Sequence, residues 1–241
     1  MKNIIFICLL LSQISVKSQN EISFPSSDRA VTITADWYFI KKGAPILLLC
    51  HQAGWSKGEY LESALTLNKL GFNCLAINQR SGDSVNNVVN ATAREAKSKK
   101  IAAGYLDAEK DILTAIDYLF KNYAQKIILV GSSYSSSLVL KVAKSNANVL
   151  AVAAFSPGEY FSADANLITN SVKGLTKPVF ITCAKDEIID TEPIAKAITQ
   201  KNLVFFKPEC TGVHGSRALW NAEPCHDAYW KAFTGFLKGI K

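Results

Sequence analysis

The chain has 241 residues, 49% of them hydrophobic and 20% charged, with seven prolines and 13 glycines. This is enough apolar material for one sizeable core, and it excludes wholesale disorder. The formal charge of +7 is spread along the chain; its one cluster, Arg94, Lys97, Lys99 and Lys100, reads as a solvated loop or helix face rather than a nucleic-acid patch.

The first segment, Met1-Lys2-Asn3 followed by Ile4 through Leu11, has a charged start and a short apolar run. Val16 and Ser18 stand at the −3 and −1 positions of a cut after Ser18. This pattern predicts a secretory signal peptide over residues 1–18, with an apolar run too short to span a bilayer. Cleavage would remove Lys2 and Lys17 and no acid, taking the charge from +7 to +5. It would also leave five cysteines, an odd number. Cys50, Cys74 and Cys183 lie in apolar runs and read as small core residues. Cys210 and Cys225 lie in polar sequence on either side of His214 and could pair in an oxidising compartment.

Residues 19–28 are polar and read as a mobile lead-in. Ala30 through Ile40 is β-branched and aromatic and predicts a strand near an antiparallel edge. Pro45 through Cys50 is apolar on both faces, as in a strand covered by helices on both sides. His51-Gln52-Ala53-Gly54-Trp55 is a loop. Ser56-Lys57-Gly58-Glu59 reads as a capping box, with Ser56 as N-cap and Glu59 reaching back. The helix it opens stops at Gly71. Phe72 through Asn78 is the next strand. Residues 79–104 form a polar loop with some helix in the second half. Asp107 through Lys121 carries Ile112, Ile116 and Leu119 on one face and is an amphipathic helix.

Lys126 through Val130 is a buried strand, and Ser136 through Ala143 a helix. Between them stands Gly131-Ser132-Ser133-Tyr134-Ser135, a sharp turn from strand to helix. Strands at Val149–Phe155, Pro178–Cys183 and Leu203–Phe206 follow. Helices lie at Glu192–Thr199 and Ala228–Leu237, and residues 158–176 are too few for a large cap. Strands alternating with helices predict a doubly wound, mostly parallel sheet flanked by helices. The expected organisation is one such domain over residues 19–241 after the signal peptide.

The turn at 131–135 resembles the nucleophile elbow of the α/β-hydrolase superfamily, in its small, lid-poor esterase and dienelactone-hydrolase-like branch. Two positions depart from the family pattern: Ser135 holds the place of the last glycine, and Gln52 stands where the loop after the early strand has glycine. Asn78 through Ser84 echoes a further family segment, with Arg80 as a loop brace. The resemblance implies a Ser–acid–His order along the chain. Ser133 would be the nucleophile. Asp186 would be the acid, three residues after a strand, with Glu187 and Asp190 as neighbours able to serve instead. His214, in a glycine-flanked loop after the last strand, would be the base. His51 and His226, the other two histidines, read as structural. The oxyanion would take the backbone N–H groups of Tyr134 and Ala53, with Gln52 in reserve. Trp55, Tyr134 and Tyr160 are candidates to line the pocket.

The implied activity is hydrolysis of a carboxylic ester, or a similar acyl compound, by a secreted or periplasmic serine hydrolase. The implied partner is a small-molecule ester. No cofactor, metal, nucleic acid or stable membrane insertion after signal removal is implied, and the oligomeric state is open. Two other readings stand beside it: a serine peptidase or amidase on the same fold, and a non-catalytic binding protein of that fold.

Overall fold

The computed structural model describes residues 19–161, 164–198, 201 and 203–240. The signal peptide read over residues 1–18 and Thr199 at the end of a predicted helix lie outside them. In chain order come β1 (Asn20–Pro25), β2 (Thr32–Tyr38), β3 (Ile46–Cys50), α1 (Leu61–Lys69) and β4 (Asn73–Ile77). A small hairpin of β5 (Ser84–Val85) and β6 (Val88–Val89) precedes α2 (Ala91–Ser98) and α3 (Glu109–Tyr123). Then follow β7 (Ile127–Ser132), α4 (Tyr134–Ser145), β8 (Val149–Phe155), α5 (Leu167–Ser171), β9 (Val179–Thr182), α6 (Ile188–Ala197), β10 (Leu203–Phe206) and α7 (His226–Lys238).

Eight strands form one sheet in the order β1-β2-β4-β3-β7-β8-β9-β10. All pairings from β4 to β10 are parallel, and the β1–β2 ribbon joins antiparallel to β4. Alternation along each central strand divides the core. Ile46 and Leu48 of β3 and Ile127 and Leu129 of β7 pack on the face that carries α3 and α4. Leu47 and Leu49, with Ile128 and Val130, pack on the opposite face against α1 and α7. A strand buried on both faces has no room for polar positions, which is why these segments read as unbroken apolar runs.

From β3 the chain moves to β4 on one side and later returns to β7 on the other. The strand order reverses between β3 and β7, so a crevice opens beyond their carboxyl ends. Cys50, the last residue of β3, is paired with Gly131, so the His51 loop and the turn after β7 leave the sheet side by side.

Residues 19–28 are a correction to the expected lead-in: they contain β1, paired to β2 from Asn20 to Pro25. An edge strand needs only backbone partners and one packed face. Phe24 supplies that face, buried and stacked on Tyr118 with ring centroids 4.2 Å apart. Between β8 and β9 only the five-residue α5 intervenes among the described elements. No helix of the described residues is long and apolar enough to cross a membrane.

Candidate active site

Ser133 is the first feature of the site, because its backbone is forced. It sits between β7 and α4 at φ 56° and ψ −127°, a conformation that costs a non-glycine residue of order 1–3 kcal/mol. Its N–H donates to Phe155 O (2.8 Å), and its carbonyl accepts from Ser136 N (2.8 Å). These bonds hold the strain. Gly131 permits the turn: a Cβ there would stand 2.6 Å from Ser135 O. The first N–H groups of α4, starting at Tyr134, point out of the helix beside Ser133.

Ser135 is fully buried and works as a strut. Its hydroxyl donates to His51 O (2.6 Å) and accepts from Gln79 Nε2 (2.8 Å). A glycine at this elbow position would leave both groups without that partner. The loop it braces carries His51, which is fully buried. Its Nε2 accepts from Gln79 N–H (3.1 Å), and its Nδ1 faces Gln52 O (2.8 Å), so Nδ1 carries the proton. Burial lowers its pKa to about 4, outweighing the bond to Gln52. His51 is neutral and structural. Arg80 is likewise buried, forked onto Asp111 and bonded to Asp28.

A histidine–carboxylate pair comes from two later loops. His214 Nδ1 is hydrogen-bonded to Glu187 Oε1. The other oxygen of Glu187 accepts from Ser156 Oγ (2.6 Å) and Ala184 N–H (2.9 Å). Burial raises the Glu187 pKa, but these donors, His214 first among them, outweigh it and hold the carboxyl below its usual range. Asp186, the expected acid, is exposed. The reason is local geometry. Lys185–Glu187 is a 3₁₀ turn, where successive side chains diverge by about 120°, so only one of the two acids can face inward. Asp190 is also exposed and lines the neighbouring cavity.

Three bonds tie these loops to one another, to the end of β8 and to the elbow. Lys185 N–H donates to Thr211 O (2.8 Å), joining the acid turn to the histidine loop. Gly215 N–H donates to Ser156 Oγ (2.9 Å), and Ser216 N–H to Ser132 Oγ (2.8 Å). Gly215, at φ 73°, lies so close that a Cβ would meet Ser132 Oγ at 2.5 Å. The residue next to His214 is therefore packed against the residue next to Ser133. Ser156, at φ 54° and just past β8, was not singled out in the sequence; a serine one residue beyond a strand gives no signal by itself.

The two expected oxyanion donors differ. Gln52 N–H is spent on Glu59 Oε2 (2.7 Å), so it is not free to serve as the reserve. Ala53 N–H makes no hydrogen bond among the described residues, and the residue is half-buried beside the elbow strand's layer. Of the pocket candidates, Tyr160 lines a cavity of about 590 Å³ with His214, Glu187, Asp190, Thr169 and Ile194. Its hydroxyl donates to Ser156 O (2.8 Å) and has the Ser133 side chain as a neighbour; burial raises its pKa to about 12. Trp55 instead stacks on Trp220, centroids 5.4 Å apart, outside that lining. Tyr134 is buried and stacked on Tyr105. Cys210 and Cys225 are joined in a disulfide, with Cα atoms 6.5 Å apart, and the three other cysteines of the described residues are buried and free.

The sheet order, with a strained serine after β7 and a carboxylate–histidine pair after β9 and β10, decides the architecture. The chain has the α/β-hydrolase fold. Solved structures agree. An esterase from Pyrococcus furiosus superposes with a TM-score of 0.67 at 16% identity, over 93% of each chain. A dienelactone hydrolase from Anabaena variabilis gives 0.67 at 15% identity, over 92% of this chain and 98% of its own. A thermostable carboxyl esterase from Bacillus coagulans gives 0.67 at 13%, over 92% and 99%. At such identities the likeness speaks for the fold. No family model matches the sequence, and no curated protein does.

Proposed function

We propose that this α/β-hydrolase-fold chain is a serine hydrolase of carboxylic esters, working through Ser133, His214 and Glu187. The observation that carries the reading is the Glu187–His214 pair, docked onto a strained serine elbow through Ser156, Gly215 and Ser216. In this reading Ser133 Oγ attacks the ester carbonyl, and its proton passes to His214 Nε2. Glu187 holds the Nδ1 proton and stabilises the imidazolium that forms. The tetrahedral oxyanion takes the N–H groups of Tyr134 and Ala53. Collapse of the intermediate returns the proton to the departing alcohol. Water, deprotonated by His214, then releases the acid from Ser133.

The esterases and the dienelactone hydrolase among the similar structures fit a hydrolase of this kind. The open segment after β8 suits a small substrate, and the cavity of about 590 Å³ beside His214 is where its acyl or alcohol part would lie. We place the mature chain, residues 19–241 read as one domain, outside the cytoplasm. The N-terminal pattern and the Cys210–Cys225 bond both fit export to an oxidising compartment.

The test is labelling of the mature protein with a fluorophosphonate, read by intact mass, beside Ser133→Ala. One adduct that disappears in the variant is expected, together with turnover of short acyl esters. Absence of an adduct on folded wild type would refute the reading and favour a binding protein.

A further inference from the structure

Glu59 is a carboxylate beside the site with no exposed surface. Its spacing from Ser56 suits a capping box, but its side chain does not turn back. The Ser56 side chain alone caps the short turn at Lys57–Tyr60, accepting from Gly58 N–H (3.1 Å). Glu59 points inward instead. Oε2 accepts from Gln52 N–H (2.7 Å), and Oε1 accepts from Ser216 Oγ (2.6 Å). The Ser132 hydroxyl oxygen lies beside this carboxylate and takes Ser216 N–H (2.8 Å). The Glu59 carbonyl accepts from Trp220 Nε1 (2.9 Å).

Each neighbour of the carboxylate itself is one or two residues from a group that the proposed chemistry uses. Gln52 precedes Ala53. Ser132 precedes Ser133. Ser216 follows His214 by two. The partners are all neutral donors, so this fully buried carboxyl group is hydrogen-bonded without a cation; burial raises its pKa and the donors oppose the rise. Burying a carboxylate is costly, and stability alone is a poor reason to keep one. Hydrogen bonds to a carboxylate are shorter and stronger than neutral ones, and they fix geometry.

Resting on the serine-hydrolase reading, we infer that Glu59 is the positioning residue of this site: one carboxylate that holds the oxyanion loop, the elbow and the histidine loop in register. It touches no reacting atom. It commits Gln52 N–H, so that the next N–H, on Ala53, is the one presented. It also fixes Ser216 against Ser132, and with it the distance between His214 and Ser133. An amide in its place puts an NH₂ where the Ser216 hydroxyl or the Gln52 N–H donates, and that donor must turn away. A misplacement of about 1 Å in such a site costs on the order of a hundredfold in rate.

The experiment compares wild type, Glu59→Gln, Ser216→Ala and the double variant. Each is first shown to be folded by circular dichroism and a cooperative urea transition. The readouts are kcat and KM on a short acyl ester and the rate of fluorophosphonate labelling. Glu59→Gln is expected to lower kcat and the labelling rate by about tenfold or more, with KM held within about threefold. The double variant is expected to be little worse than Glu59→Gln, because the two groups act as a unit. A folded Glu59→Gln with wild-type kcat, or with its loss in KM alone, overturns the role. If Glu59→Gln does not fold, Ser216→Ala decides: an unchanged kcat and labelling rate overturn it. A wild type that does not label refutes the hydrolase reading itself, whereas equal labelling of wild type and Glu59→Gln refutes only the positioning role.

Discussion

Replacing Glu187 by Gln, beside Asp186→Asn, separates the two candidate acids. The size of the effect follows from the partners of the carboxylate. Oε2 of Glu187 accepts from both Ser156 Oγ and Ala184 N–H. A glutamine must therefore put its oxygen there, and its NH₂ is left facing His214 Nδ1. Two donors cannot face each other, so the imidazole is driven to the tautomer with its proton on Nε2. That nitrogen can no longer accept the Ser133 proton. A tautomer error of this kind costs about 10³–10⁴-fold in kcat, or about 4–5.5 kcal/mol of barrier. The variant should fold, since the Ser156 hydroxyl and the Ala184 N–H both keep their acceptor. Asp186→Asn alters an exposed group and should change kcat by less than about twofold. Initial rates on a short acyl ester, with active sites counted by phosphonate titration, measure both. A loss in Asp186→Asn comparable to that in Glu187→Gln, or full activity in Glu187→Gln, would refute the assignment.

Ser135→Ala should lower stability by about 1–3 kcal/mol, because His51 O and Gln79 Nε2 both lose a buried partner; urea unfolding would measure it, and an unchanged midpoint would show that the strut is idle. Cys210→Ser should cost about 3 kcal/mol through the loop of 15 residues it opens, and wild type in reductant should melt at the same lowered temperature as the variant. His51 is held neutral by burial at about 4, whereas an unfolded histidine titrates near 6.5. Between these values the unfolded chain binds the extra proton, so stability present above pH 6.5 is lost as the pH falls toward 4, by about 3 kcal/mol in all. Urea midpoints at pH 7.5 and 4.5 should therefore differ more for wild type than for His51→Gln, and equal differences would contradict the buried neutral form.

The order of strands and helices was legible because the central strands are apolar on both faces and the outer helices on one. Val149–Phe155 and Leu203–Phe206 end where their apolar runs end. β1 was not legible, since a ladder at an edge is made by backbone groups that any polar sequence carries. At the site the serine and the histidine stood out through their glycine neighbours, whose close packing leaves no room for a side chain. Which carboxylate faces His214 was legible only to within one residue, since the phase of a short 3₁₀ turn is set by what it docks against. Glu59 shows the sharper limit. Its spacing from Ser56 satisfies a local rule, and the partners that draw it inward are 157 residues away at Ser216 and seven away at Gln52. Local patterns carry no trace of such distant donors.

The Cys210–Cys225 bond encloses His214 in a covalent ring. A single peptide cut anywhere inside that ring would leave both ends of the chain attached. The loop that carries His214 is bounded by glycines and partly open to solvent, so it is a natural target for an endopeptidase. With the ring closed, a nicked molecule would run as one band on a gel without reductant and as two with it. Wear at this loop would then show first as lost alignment of the histidine, with the two fragments still travelling together.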